Sequence, residues 1–305
     1  MSAPWKTSLH GGHSGEFCEH AEATLRETLD AAVAFGYDTF GVSEHAPRTL
    51  DRFIYPSERE KGFTVERLHE DFEAYAREVG ELAAEYSDRL TVLRGFEAEC
   101  VPTKGYEQFA LSLKGRHVFD YMVGSVHYVH ETPIDGDPDV FQRLVAECGG
   151  LENTAVHYYI QVAQMVESLT PDVVGHLDLI RRHSAPDARL DTTRIRKAAE
   201  AALEAVRSAG SILDLNTAGW RKGLGNPYPA PWLVELAARM DIGFCFGDDS
   251  HKPSEVGAGI EEARLYLLAS GVTRIRRITR REGVLLKEWV PLSAEESVRK
   301  SSEGE

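Results

Sequence analysis

The chain has 305 residues, 42% of them apolar, and a formal net charge of −15. That is enough apolar chain for one large core, built as a single α/β barrel or as two smaller domains, while the acidic balance speaks against a broad nucleic-acid surface. No run of 18 apolar residues occurs, residues 1–15 lack a charged-then-apolar leader, and the four cysteines form no CxxC pair; a cytoplasmic protein with free thiols and no membrane contact is expected. None of Cys18, Cys100, Cys148 and Cys245 is required as a metal ligand.

In chain order, residues 1–6 read as an exposed start, and Thr7-Ser8-Leu9 ends a first strand before the His10-Gly11-Gly12-His13 turn. Residues 20–36 carry apolar side chains at helical spacing, and Gly36 stops that helix. Residues 37–42 read as a strand with Ser43-Glu44-His45 at its end. The Pro-containing, charged stretch 46–63 reads as an irregular excursion over a barrel mouth, placed to act as a lid. From Val65, the spacing of Leu68, Phe72, Tyr75, Val79, Leu82 and Tyr86 predicts the clearest helix in the chain.

Residues 90–96 predict a strand ending at Glu97, residues 109–113 lie in a helix-like stretch, and residues 119–126 predict a strand that delivers His127. A loop over 130–137 precedes helices near 138–148 and 151–168. Val173-Val174-Gly175-His176 is the next strand end, followed by a helix at 192–209, a strand at 212–215 closed by Asn216, and a helix at 230–240. Residues 242–246 form a last strand, Asp249 and His251 follow it, and Pro253 and Ser254 open a helix-like segment. Regular alternation of short apolar strands and amphipathic helices implies a parallel sheet, and its length suits a closed (β/α) barrel better than two domains. One domain over 1–292 is expected, with 293–305 a polar tail.

In a parallel α/β fold, ligands converge at the carboxyl ends of the strands. Those ends carry His10 and His13, His45, Glu97, His127, His176, and the pair Asp249 and His251, with His20 just beyond the first strand. Any one of these is more often a hydrogen-bonded or surface side chain, and Asp-Ser-His before a proline commonly caps a helix. Six strand ends offering His, Glu or Asp exceed what a structural barrel needs, and the donor types suit divalent metals. The remaining histidines, His69, His117, His130, His157 and His183, fall in helices or connections, of which His130, His157 and His183 are pocket candidates.

These stretches resemble the PHP family of metal-dependent phosphoesterases, of the histidinol-phosphate phosphatase type. The resemblance rests on Phe17-Cys18-Glu19-His20-Ala21, Gly41-Val42-Ser43-Glu44-His45-Ala46-Pro47, Gly95-Phe96-Glu97-Ala98-Glu99, Gly124-Ser125-Val126-His127-Tyr128, Gly175-His176-Leu177-Asp178-Leu179, Asn216-Thr217-Ala218-Gly219 and Asp249-Ser250-His251-Lys252-Pro253, in family order. It implies an α/β fold, a distorted (β/α)7 barrel of the PHP type, and three divalent cations per chain, of Zn, Mn, Fe or Co. One metal is implied at His10, His13, Glu97 and Asp249; a second shares Glu97 and adds His127 and His176; a third takes His20, His45 and His251. Only two of these nine ligands are carboxylates, leaving a local surplus of about four positive charges that favours a phosphate dianion.

The implied reaction is hydrolysis of a small phosphorylated metabolite, L-histidinol phosphate on the family resemblance, as a step of histidine biosynthesis. A metal-bound hydroxide held by Glu97, His127 and Asp249 attacks phosphorus, while Arg221, Lys222, Arg181 and Arg182 are placed to grip the phosphate. The alternatives are a related phosphoesterase acting on another small phosphate ester and a non-catalytic metal-binding module. Oligomeric state is not legible. The family usually opens with His-x-His, whereas here two glycines separate the pair; either Gly11 and Gly12 form a bulge that restores convergence, or one of the two is not a ligand. Asp248 stands where a serine is common, and the two-residue spacing to His251 selects Asp249 over it.

Overall fold

The computed structural model describes residues 3–293. Its strands are β1 (Thr7–Ser8), β2 (His10–Gly12), β3 (Thr39–His45), β4 (Thr91–Ala98), β5 (Val123–Gly124), β6 (Tyr128–Val129), β7 (Thr132–Pro133), β8 (Val173–Val174), β9 (Ile212–Asn216), β10 (Phe244–Ser250), β11 (Arg274–Arg281) and β12 (Val284–Pro291). Eight of them form one sheet in the order β1-β3-β4-β5-β8-β9-β10-β2, with every pairing parallel. The two ends of that order are consecutive in the chain. β1 pairs with β3 and β2 with β10, and between them Leu9 donates its N–H to the carbonyl of Phe246 at 2.9 Å. The first stave therefore bends at Leu9 and closes the sheet, giving seven staves from eight short strands.

The barrel interior is filled by Leu9, Leu93, Tyr121, Val123, Val173, Ile212 and Cys245, drawn from six staves. The β3 and β4 glycines make room for the largest of them: a Cβ on Gly41 or Gly95 would lie 2.4 and 2.3 Å from the Tyr121 side chain. Residues 119–126 pair as a strand only over Val123–Gly124; the preceding Tyr121 turns inward, and its hydroxyl donates to the Val42 carbonyl at 3.1 Å.

Helices clothe the outside, and the first is bounded by local signals at both ends. α1 (Leu25–Phe35) starts at Thr24, whose hydroxyl accepts from Glu27 N–H while the Glu27 carboxylate accepts from Thr24 N–H; Gly36 ends it with φ 84°. It begins later than the expected residue 20, leaving His20 outside the helix. α2 (Pro56–Glu60) gives the 46–63 excursion one short turn of helix, and α3 (Val65–Glu85) buries Leu68, Phe72, Tyr75, Val79 and Leu82 along one stripe. α4 (Tyr106–His117), α5 (Pro138–Glu147), α6 (Leu151–Leu169), α7 (Thr193–Ala209), α8 (Ala218–Arg221), α9 (Pro231–Arg239) and α10 (Ile260–Ala269) complete the set. Pro253–Glu255 is a single 3-10 turn, and the helix anticipated there begins at Ile260.

Two features depart from expectation. Trp5 is buried against Phe246, so the start of the chain packs on the barrel. The antiparallel hairpin of β11 and β12 closes the amino-terminal end, with Ile278 joining the barrel interior. Its cations meet acids at the starts of three staves: Arg277 bonds Asp38, Arg280 bonds Asp120, and Lys287 lies 2.7 Å from Asp172. Of the expected polar tail, 293–305, residues 294–305 lie outside the described residues.

Candidate metal centre

At the opposite end, the stave termini bring their side chains to one place around Glu97 of β4. Glu97 Oε1 lies 3.1 Å from His176 Nε2, 3.5 Å from His10 Nε2 and 3.6 Å from His127 Nε2. Its other oxygen lies 2.9 Å from His45 Nδ1 and 3.9 Å from His13 Nε2. Asp249 Oδ1 faces His13 Nε2 at 3.6 Å, His10 Nε2 at 3.9 Å and His251 Nδ1 at 3.9 Å. The Nε2 atoms of His127 and His176 are 3.1 Å apart. Metal–nitrogen bonds of about 2.0–2.1 Å in a tetrahedral shell put neighbouring donors about 3.3 Å apart, so these are separations suited to ligands sharing cations.

The donor chemistry agrees. His10 Nε2 and His13 Nε2 are buried with no hydrogen-bond partner, beside two carboxylates that are themselves buried. Dry imidazole nitrogens converging on carboxylates fit a cation between them. Without one, protons partly take that place. Burial opposes charging of His13 and His127, but Glu44 and Asp249 carry the first up to about 9, and Glu99 and Glu97 carry the second up to about 10. Burial likewise opposes ionisation of Glu97 and Asp249, yet nearby imidazoles, His10 foremost, hold both well below the usual carboxylate range. His45 and His251 go the other way: burial, then the charge on His13, push both well down.

A ring of acids behind the imidazoles sets which nitrogen faces the centre. His10 Nδ1 is 2.9 Å from Asp214 Oδ2, His13 Nδ1 is 3.0 Å from Glu44 Oε1, and His127 Nδ1 is 2.6 Å from Glu99 Oε2. Each carboxylate holds the proton on Nδ1 and leaves Nε2 free to ligate. Asp214 also accepts from His176 N–H at 3.3 Å and Asn216 Nδ2 at 2.9 Å, and Gly247 leaves it space. Asp214→Ala is expected to lower metal affinity or turnover by about 10–100-fold with the fold retained, checked by metal titration and circular dichroism. Sequence reasoning passed over all three acids; the available signal was a charged residue inside a buried apolar strand, as in Ile212-Leu213-Asp214-Leu215.

A third group lies alongside. The His13 and His45 rings stack at 4.0 Å between centroids, with His251 at 4.6 Å from His13 and His20 at 4.8 Å from His251. Donor atoms of His13, Cys18, His45 and His251 all lie within 4.8 Å of one another, and Cys18 Sγ is 3.4 Å from His20 Nδ1. Cys18 therefore stands within a group that the cysteine pattern alone does not call for, because its partners there are histidines, most of them remote in sequence.

Both His10 and His13 reach the centre despite their two-glycine spacing, but the extra residue is not on their strand. Register is kept at Gly247–His10 and at Ser250–Gly12, so three steps on β10 match two on β2. The bulge falls at Asp248–Asp249, where Asp249 takes a left-handed φ of 45°. It sends the two acids to different surroundings. Asp249 faces the imidazoles, whereas Asp248 accepts from Ser8 Oγ (2.7 Å), Tyr37 Oη (2.9 Å) and Gly257 N–H (2.6 Å).

The centre opens into a cavity of about 710 Å³, bordered by His20, His45, His127, His176, Asp249 and His251 on its imidazole-lined side. Arg182, Arg221 and Lys222 also border it. Arg221 is partly committed, bonding the carbonyls of Asp248 and Asp249 and Thr217 Oγ1. Arg181 does not line the cavity, contrary to expectation. Its guanidinium is held by Asn226 Oδ1, the Pro227 carbonyl and Asp178. Of the pocket candidates, His130 and His157 stack on each other at 4.6 Å, and His183 Nε2 reaches the carbonyls of Asp135 and Gly136; none of the three lines the cavity.

A family model described as the PHP domain matches residues 10–218. A protein of Schizosaccharomyces pombe named "Probable histidinol-phosphatase" is 32% identical over 86% of each chain, and one of the same name from Deinococcus radiodurans is 36% identical over 81% of this chain and 87% of its own. Among solved structures, histidinol phosphate phosphatase of Lactococcus lactis, complexed with Zn, L-histidinol and phosphate, superposes with a TM-score of 0.67 at 19% identity, covering 93% of this chain and 99% of that one. At that identity the likeness speaks for the fold.

Proposed function

The chain belongs to the PHP family, and from that premise we propose that it is a metal-dependent phosphatase that hydrolyses L-histidinol phosphate to L-histidinol and phosphate. The observation that carries the reading is the pair of buried, partnerless nitrogens, His10 Nε2 and His13 Nε2, aimed at Glu97 and Asp249. Three divalent cations fit the donors. His10, His13, Glu97 and Asp249 would hold one; Glu97, His127 and His176 a second; His20, His45 and His251 a third, with Cys18 in reach. Such cations supply a nucleophilic oxygen near neutral pH and neutralise the phosphate dianion.

The chain's own groups do the rest. Asp214, Glu44 and Glu99 keep protons on the Nδ1 atoms of His10, His13 and His127, so the ligating lone pairs are fixed before substrate arrives. Arg182 and Lys222, on the cavity wall, meet non-bridging phosphate oxygens, and Arg221 adds charge while fixing the bulge that aims Asp249. Burial of Glu97 and Asp249 keeps bulk water from the donor cluster, where each electrostatic contact gains in strength.

The test is phosphate release by purified protein from L-histidinol phosphate against a panel of sugar, nucleoside and aryl phosphates. A kcat/KM for L-histidinol phosphate at least about 100-fold above the others supports the assignment. Better turnover of a sugar or nucleotide ester would keep the phosphatase and discard this substrate.

A further inference from the structure

Five carboxylates border the cavity: Glu97, Asp135, Asp137, Asp249 and Glu255. Four have work already. Glu97 and Asp249 face imidazoles, Asp137 caps α5 by accepting from Asp139 N–H at 2.8 Å, and Glu255 accepts from His251 N–H at 3.1 Å and lies 3.8 Å from both Arg221 and Lys252. Asp135 differs: its Oδ1 is buried without a hydrogen-bond partner, and no lysine or arginine among the described residues pairs with it. A dry, unpaired carboxylate oxygen costs stability unless a donor arrives with a ligand.

Asp135 is also held in place. The main chain around it is clamped by Ile134 N–H donating to the His127 carbonyl at 2.9 Å and by His183 Nε2–H shared between the Asp135 and Gly136 carbonyls at 3.0 and 2.9 Å. Tyr55 borders the same cavity, stacked at 6.3 Å on Tyr128 and backed by the Arg48 guanidinium 4.3 Å above its ring. The lining thus offers two kinds of group: imidazoles, Arg182 and Lys222 for a phosphate, and the Tyr55 ring with one unpaired carboxylate for the alcohol.

We infer that Asp135 is the anchor for an ammonium group on the leaving alcohol, making this a subsite for phosphate esters of amino alcohols. This rests on the phosphatase reading. The substrate ammonium donates to Asp135 Oδ1 while the phosphate sits at the centre, so both charges of a zwitterionic ester are met at once.

The experiment compares L-histidinol phosphate with its counterpart lacking the amine, 3-(imidazol-4-yl)propyl phosphate, on metal-loaded wild type, Asp135→Asn and Asp135→Ala. A lost charge-assisted bond of this kind is read as about 10–100-fold. The expected result is a fall of that size in kcat/KM for the amine ester in both variants, mostly in KM, with less than about threefold change for the other ester and unchanged metal content. By calorimetry, L-histidinol binding weakens in the variants while inorganic phosphate binding does not. Variants that keep the wild-type preference for the amine, or lose both esters equally, overturn the ammonium site. Wild type that hydrolyses neither ester overturns the phosphatase reading instead, and the subsite with it.

Discussion

Replacing Glu97 by alanine is expected to lower kcat/KM by about 10³- to 10⁴-fold and to release metal, the largest effect of any single substitution in the centre. One carboxylate, 2% exposed, stands within 2.9–3.9 Å of His10, His13, His45, His127 and His176. Two of the three proposed ligand groups would share it as a ligand, and it touches His45 of the third. Without it, cations held there would lose their common anion, and the five imidazoles would gather around a void. Each tenfold is about 1.4 kcal/mol, and a bridging carboxylate between divalent cations is worth several such steps. Glu97→Gln keeps the shape and removes the charge, so an equal loss there, with an unchanged circular dichroism spectrum, assigns the effect to charge. Bound metal is counted by atomic spectroscopy on both variants. Full metal content with turnover within tenfold of wild type would remove Glu97 from the centre.

Gly12→Ala is expected to destabilise the protein by more than about 2 kcal/mol and to open the first ligand group. Gly12 has φ 130°, where L side chains rarely go, and an added Cβ would lie 2.1 Å from the Ser250 carbonyl oxygen and 2.4 Å from its Oγ. Ser250 cannot give way cheaply: its carbonyl accepts from His13 N–H at 2.9 Å and its hydroxyl donates to the Gly11 carbonyl at 2.5 Å. Relief requires β2 and β10 to part, and those strands carry His10 and Asp249. Backbone strain of about 1–3 kcal/mol adds to an overpacking cost of similar size. Gly271→Ala is the control, since Gly271 has φ 80° but open space around it. Thermal unfolding of both variants, with metal content, separates backbone strain from collision; a Gly12 variant no less stable than the Gly271 variant would refute the steric account.

Those two residues also show why part of the molecule was legible in the amino-acid sequence and part was not. Short apolar runs ending in His, Glu or Asp announce staves of a parallel barrel, because buried strands read continuously and their carboxyl ends share one face. Glu97, His127 and His176 stand at such ends and meet in space. The bulge on β10 left no such mark. The irregularity between His10 and His13 is visible as two glycines, but the strand that accommodates it is chosen by backbone geometry at Asp249, which residue types do not state. Sequence order likewise hides Cys18 beside His251 and Asp214 beside His10, pairs separated by most of the barrel. The hairpin of β11 and β12 escaped notice because its strand reads as arginine-rich surface, whereas pairing of Arg277 with Asp38 and Glu288 and of Arg280 with Asp120 seats it at the barrel floor.

The measurement that bears most directly on the central claim is a metal titration of chelator-stripped protein, with bound metal and phosphate release from L-histidinol phosphate read on the same samples. Turnover should be absent in the stripped protein, should rise as the sites fill, and should level off near three metals per chain. Undiminished turnover after stripping, or full sites with no phosphate released from L-histidinol phosphate, would contradict it.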